Sequence, residues 1–184
     1  TVTTRGIYRA DTVRNYLTDY DENFPAWATT AETWWTMAAR RDWFMGGFVW
    51  TGFDYRGEPT PHRWPNISSH FGVMDVCGFP KNVYWYYRSW WTDEDFVHVA
   101  PHWNHNEGDT VRVWVNTNAD EVSLSLNGVD LGRKEMPRNG HLVWDCLFYP
   151  SDAAGDGLGG VHCGRLVLRS TLSDMPLPRP ARRV

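Results

Sequence analysis

The stretch GGFVWTGFDYRGEPTP, residues 46–61, decides how the chain is read. Together with Met45, its first half forms the run Met45-Gly46-Gly47-Phe48-Val49-Trp50, apolar at consecutive positions and rich in strand formers. In a strand, alternate residues face opposite sides, so this run predicts a strand over 45–50 buried on both faces, as in a parallel sheet covered by helices. At the C-terminal end of such a strand in a barrel, side chains project into the mouth where sites are built. Here that end hands over to Trp50, Asp54, Tyr55, Arg56 and Glu58. An indole face offers apolar area to the C–H face of a sugar ring, and a carboxylate accepts hydrogen bonds from neighbouring hydroxyls. The mixture suits carbohydrate better than a lipid or a nucleotide. A plainer reading of the same residues stands beside it: Trp50 in a core, Asp54 capping a turn, Glu58 solvated.

Working outward, residues 1–24 are polar and turn-rich with no sustained period, which predicts a surface loop with one short helix. After Pro25, Thr29 or Thr30 is a candidate N-cap, Glu32 sits in the first turn, and Trp34, Trp35 and Ala38 predict a helix over 25–42 ending near Asp42. Downstream, residues 54–78 are punctuated by GEPTP, WPN, FG and CG and predict a long ordered loop held by its own aromatic residues. PKNVYWYYRSWW, 80–91, with Pro80 at a helix N1 position, predicts a helix with a dense aromatic face that closes on a barrel or sheet.

From Phe96 the composition changes. His98 and Val99, then Val111, Val113 and Val115, alternate with polar residues, EVSLSL (121–126) alternates again into Asn127-Gly128, and Leu142-Val143-Trp144 follows after Pro137 and Gly140. Short strands with a two-residue Asn-Gly turn predict a small β-sandwich over 94–150, with the boundary near Asp93–Asp95. The tail, 151–184, holds GDGLGG, several Arg and late Pro, and only one convincing strand at RLVLR (165–169); most of it is expected to be disordered.

The 184 residues carry 18 Lys plus Arg against 22 Asp plus Glu, a formal net charge of −4, and a mean hydropathy of −0.52. No basic stripe is present to neutralise a phosphate backbone, so nucleic acid is excluded as an expected partner. No apolar run reaches the roughly 20 residues that span a bilayer, and no charged and apolar leader opens the chain; no membrane association is expected, and the compartment is left open. Cys77, Cys146 and Cys163 form no CxxC pair, so neither a disulfide framework nor a thiolate zinc site is indicated. His98, His102 and His105 have a ligand-like HxxxHxxH spacing, but Pro101 and the NHNEG turn keep them off a common helix face, so no metal site is assigned. GxSxG, P-loop and GxGxxG motifs are missing, and with them the serine hydrolase, NTPase and dinucleotide readings.

Paired carboxylates are the machinery of glycoside cleavage, about 5–5.5 Å apart in retaining enzymes. Asp54 and Glu58 match by spacing only. Barrel enzymes draw the pair from the ends of different strands, so these two are assigned to substrate binding rather than catalysis.

GGFVWTGFDYRGEPTP followed by WPNISSHFGVMDVCGFPKNVYWYYRSWW (64–91) resembles glycoside hydrolase family 2, the β-galactosidase and β-glucuronidase family, and is most similar to its bacterial β-galactosidase branch. The resemblance covers residues 1 to about 150 and implies an α+β fragment: the last β/α units of a (β/α)8 TIM barrel over 1–93, followed by an immunoglobulin-like β-sandwich over 94–150, with NADEVSLSLNG (118–128) its most specific part. It further implies that 25–42 is barrel helix 7, 44–50 strand 8 and 80–91 helix 8. Trp50 then matches the family's sugar-stacking Trp, with Asp54 and Glu58 in the loop lining the same mouth. TRGIY (4–8) resembles the stretch just after the nucleophile. The nucleophile and the acid/base Glu are therefore expected upstream of Thr1, no catalytic residue lies in this chain, and the chain alone is expected to be inactive. Glu22, Glu32 and Glu58 sit in the wrong motifs to replace them.

The implied activity is retaining hydrolysis of terminal β-galactosides, with a β-galactoside and the missing N-terminal part of the same enzyme as partners. A homo-oligomer is compatible with the resemblance. No cofactor is implied in this chain; a divalent or sodium ion in the full enzyme is left open. After Tyr149 the resemblance stops, as either a shifted reading frame or divergence would produce. The rival is a non-catalytic carbohydrate-binding or scaffold module, which would have to close its own sheet; one doubly buried strand and two helices do not.

Overall fold

The computed structural model describes residues 10–11, 16–17, 21–22, 24, 27–59, 64–100, 105, 108–126, 129–147 and 166–171. They belong to two compact units, the first ending at Trp91 and the second beginning at Thr92.

In the first unit, β1 (Ala10–Asp11) and β2 (Tyr16–Leu17) pair antiparallel, where the sequence predicts a loop with a short helix. The helix α1 runs over Ala31–Ala39, shorter at both ends than 25–42. Thr30 caps it: its hydroxyl accepts the Thr33 N–H at 3.2 Å, satisfying one of the donors that the first turn leaves without a partner. Asp21 Oδ2 accepts the Ala31 N–H at 2.5 Å, placing a carboxylate at the positive end of the helix dipole.

The helix α2 spans Asn82–Trp91. Pro80 lies before it rather than at N1, because Met74 bridges to Pro80 and the Lys81 N–H is committed to Val73 O at 2.9 Å. α1 and α2 meet through aromatic rings. Trp35 stands edge-on to Trp91 at 5.7 Å and stacks on Trp34 at 6.0 Å, and Tyr86 is buried beside Thr36.

The buried strand predicted over 44–50 is not formed. Residues 44–49 carry no strand or helix, and Met45 and Phe48 are 100% and 105% exposed. A strand exists only through hydrogen bonds to neighbours, and among the described residues none lies beside this run. The predicted long loop is ordered. Residues 51–57 run against 67–74 through bridges Phe53↔Met74 and Arg56↔Ser68, and Gly57 N–H to Ile67 O, Ser69 N–H to Tyr55 O and Val73 N–H to Thr51 O lie at 2.8–3.0 Å.

The second unit has two three-stranded antiparallel sheets, β3-β4-β7 and β6-β5-β8, from β3 (Val97–Ala100), β4 (Thr110–Thr117), β5 (Glu121–Leu126), β6 (Val129–Glu135), β7 (Leu142–Leu147) and β8 (Leu166–Thr171). Val111, Val113 and Val115 of β4, Leu142, Trp144 and Cys146 of β7, and Val122 and Leu124 of β5 form one buried core. Their spacing of two places them on one face of each strand; β4 is buried on its other face as well, at Trp114 and Asn116.

Leu126 opposite Val129 gives the two-residue β5–β6 connection expected of Asn-Gly, although residues 127–128 themselves lie outside the described residues. One extra residue on β6 between Asp130 and Arg133 makes a bulge, and Gly132 takes its left-handed position at φ +92°. β8 falls in 151–184, the segment expected to be mostly disordered, and pairs with β5 along its whole length. With β6 on one edge and β8 on the other, the backbone groups of β5 are paired on both sides. The rest of the tail lies outside the described residues.

Candidate functional site

Residues 50–59 and 64–81 build the site in the first unit. Trp50 is 73% exposed, so its indole is not a core residue. Its Nε1–H donates to the Tyr55 hydroxyl at 3.2 Å, and the two rings meet edge-on at 6.2 Å and 80°. The Tyr55 hydroxyl donates in turn to Glu58 Oε2. That bond to the carboxylate holds the Tyr55 phenol above its ordinary pKa of 10, since ionisation would remove the donated proton and set two anions together. An aromatic face and a carboxylate thus share one phenolic hydroxyl on an exposed rim.

The Tyr55 backbone is anchored from below. Its N–H donates to Ser69 Oγ at 3.0 Å, and its carbonyl accepts the Ser69 N–H at 2.8 Å and the Ser68 hydroxyl at 3.3 Å. Ser69 is 1% exposed. A peptide group and a hydroxyl buried at this depth are held by each other, which makes Tyr55 the stiff member of the trio.

Asp54 does something else. Its Oδ2 pairs with Lys81 Nζ at 2.6 Å, its Oδ1 accepts the Gly72 N–H at 2.8 Å, and its side chain is 8% exposed. Lys81 Nζ also reaches His70 O at 3.4 Å. Gly72 leaves no room for a side chain: a Cβ there would sit 2.3 Å from the Asp54 N and 2.5 Å from Met74 O. The carboxylate expected to face the sugar is the internal clasp of the loop, joining its first strand to the residue before α2.

The spacing of Asp54 and Glu58 drew attention to both, and the structure separates them into a buried clasp and an exposed rim residue. Tyr55 and Lys81 were not singled out for these roles. The short Tyr55–Glu58 spacing is the one local signal; nothing local marks Lys81, which is 27 positions from its partner. Of the three histidines, His98 lies on β3, where burial lowers it from 6.5 to about 4, His105 lies outside the strands, and His102 lies outside the described residues. Among the described residues no group of three or more His, Cys, Asp or Glu could hold a metal ion.

The chain is 39% identical over 166 residues to a β-galactosidase, BoGH2A, of Bacteroides ovatus, and 41% identical over 159 residues to a putative β-glucuronidase of Formosa agariphila, matches that take in 80% and 81% of this chain. This chain belongs to glycoside hydrolase family 2. A β-glycosidase structure from Bacteroides vulgatus superposes over 86% of the chain with a TM-score of 0.70 and 33% identity, covering 18% of that molecule. A family 2 member from Bacteroides cellulosilyticus matches 65% of the chain with a TM-score of 0.57 and 25% identity. Residues 108–150 match a domain family described as a domain of unknown function, DUF4982. The chain spans 19% and 15% of the length of the two relatives, about a fifth or less of a family 2 protein.

Proposed function

We propose that this chain is the segment of a retaining β-galactosidase that supplies part of the sugar-binding mouth, with Trp50 offering its face to the sugar ring and Glu58 accepting a sugar hydroxyl. The observation that carries the reading is the exposed indole and exposed carboxylate tied to one Tyr55 hydroxyl. Asp54 serves the mouth indirectly by clasping the loop. The two catalytic carboxylates come from polypeptide outside these residues, a reading supported by the much greater length of the relatives. The same reading accounts for the unpaired run at 43–50: its exposed Trp43, Met45 and Phe48 are a face that further barrel strands would cover. The two-helix and sandwich units then correspond to the end of a (β/α)8 barrel and an immunoglobulin-like domain.

The exposed Glu58 carboxylate at this rim, with Lys81 committed to Asp54, supports galactose over a uronic acid in this reading. The test is hydrolysis of p-nitrophenyl β-galactoside and p-nitrophenyl β-glucuronide by the full-length polypeptide that carries this chain, with and without Trp50→Ala. Galactoside hydrolysis that falls about tenfold to a hundredfold in kcat/KM in the variant is expected. Binding without hydrolysis by the full-length protein would move the reading to a non-catalytic sugar-binding module, and preferential cleavage of the glucuronide would overturn the galactoside assignment.

A further inference from the structure

We infer that Tyr55 is the positioning residue of this mouth: its hydroxyl sets the orientation of Trp50 and Glu58 together, so that the indole contributes only its face and the carboxylate only its free oxygen. The inference rests on the sugar-binding reading above. Trp50 spends its one N–H on Tyr55, so no donor remains on the indole for a ligand. Glu58 Oε2 receives the Tyr55 proton, which leaves Oε1 as the acceptor for a sugar hydroxyl. The phenol can hold both because its own backbone is clamped on both sides by Ser68 and Ser69. Two exposed side chains that would otherwise sample several rotamers are thereby presented in one arrangement, and the entropy of ordering them is spent before the ligand arrives.

Tyr55 touches no bond that breaks, so its removal acts on binding. Tyr55→Phe keeps the ring and its contact with Trp50 but deletes the shared hydroxyl. In the full-length polypeptide, with p-nitrophenyl β-galactoside, Tyr55→Phe is expected to raise KM about tenfold with kcat changed less than about twofold. Adding Tyr55→Phe to Glu58→Gln should cost less than the product of the two single effects, because both act on the same bond: the first deletes its donor and the second removes the charge of its acceptor.

A second readout is independent of turnover. In the 184-residue chain, the Trp50 indole N–H resonance, assigned by its loss in Trp50→Phe, should move in Tyr55→Phe toward the position of a solvent-exposed indole. If Trp50→Ala and Glu58→Gln raise KM but Tyr55→Phe does not, the positioning role is overturned while the sugar site stands. If none of the three raises KM, the sugar-binding reading itself fails. An unmoved indole resonance in Tyr55→Phe would also overturn the positioning role, even if the turnover variants proved too unstable to assay.

Discussion

The strands of residues 110–147 and the run 43–53 are both rich in apolar side chains, yet they meet opposite fates. In the former, Val113, Val115, Val122 and Leu124 are completely buried. In the latter, Trp43, Met45, Phe48, Trp50 and Phe53 are exposed. The difference is where the partner lies in the chain. β5 and β6 are joined by two residues, and β4 finds β3 and β7 within the same short stretch, so each apolar face is closed by nearby sequence at a small entropic cost. Residues 44–49 of that run have hydrophobicity without a paired strand among the described residues. Apolar content sets how much can be buried; strand pairing decides whether it is.

Three perturbations sharpen that contrast. Leu124→Ala should have the largest effect, about 3–4 kcal/mol, because it opens a cavity between sheets that pack from both sides. It should lower the denaturant midpoint of the second unit's transition while the near-ultraviolet signal of the Trp-rich first unit is retained. Loss of both units together would mean that the sandwich and the helical unit unfold as one.

The clasp in the first unit is expected to be the next most sensitive. Asp54→Asn keeps an acceptor for Gly72 but leaves Lys81 without its anion, at a cost of about 2–3 kcal/mol given that the pair is not wholly buried. Amide exchange at Gly72 and Met74 should accelerate by about 30- to 100-fold, with β4 and β5 amides unchanged. If those two amides kept their protection, the loop would be held by its backbone ladder alone.

The smallest effect is a pH dependence confined to the second unit. His98 has a folded-state pKa of about 4 because burial penalises its charged form, against an ordinary value of 6.5. Between those values the unfolded chain binds a proton that the folded chain refuses, so stability is complete above about pH 6.5 and is lost progressively toward pH 4. The contribution is on the order of 1–2 kcal/mol once partial exposure is allowed for. Thermal melts of wild type and His98→Gln at about pH 7 and pH 4.5 isolate it from the carboxylates: the variant should lose less stability on acidification. Equal losses would place His98 in a more solvated setting.

Much of the second unit was legible in advance. Period-two alternation marks β4 and β5, and Asn127-Gly128 marks a turn whose register the structure bears out from Leu126 and Val129. The bulge was not legible, since Gly132 in LGRK is one glycine among many. β8 was seen as a strand but denied a place, because its partner β5 lies 40 residues away and pattern alone does not name partners. In the first unit, the two helices followed from Thr30 and from the aromatic face of 82–91. The apolar run at 44–50 predicts a strand that is not formed, because a run apolar on both faces states what it could bury, not what is there to bury it.

The sequence alone determined local geometry: where the chain can be helical, where it alternates, and where it must turn, all set by side-chain sterics and periodicity within a few residues. It also determined that an indole and two carboxylates follow one apolar run. Only the tertiary structure decided their roles. Asp54 turned inward because Lys81 and the Gly72 N–H, distant in sequence, converge on it, and a carboxylate at that depth is retained only when paired. Glu58 stayed at the rim because its partner is a phenol on an exposed edge. Identical functional groups, four residues apart, were separated by what lay across the fold from each.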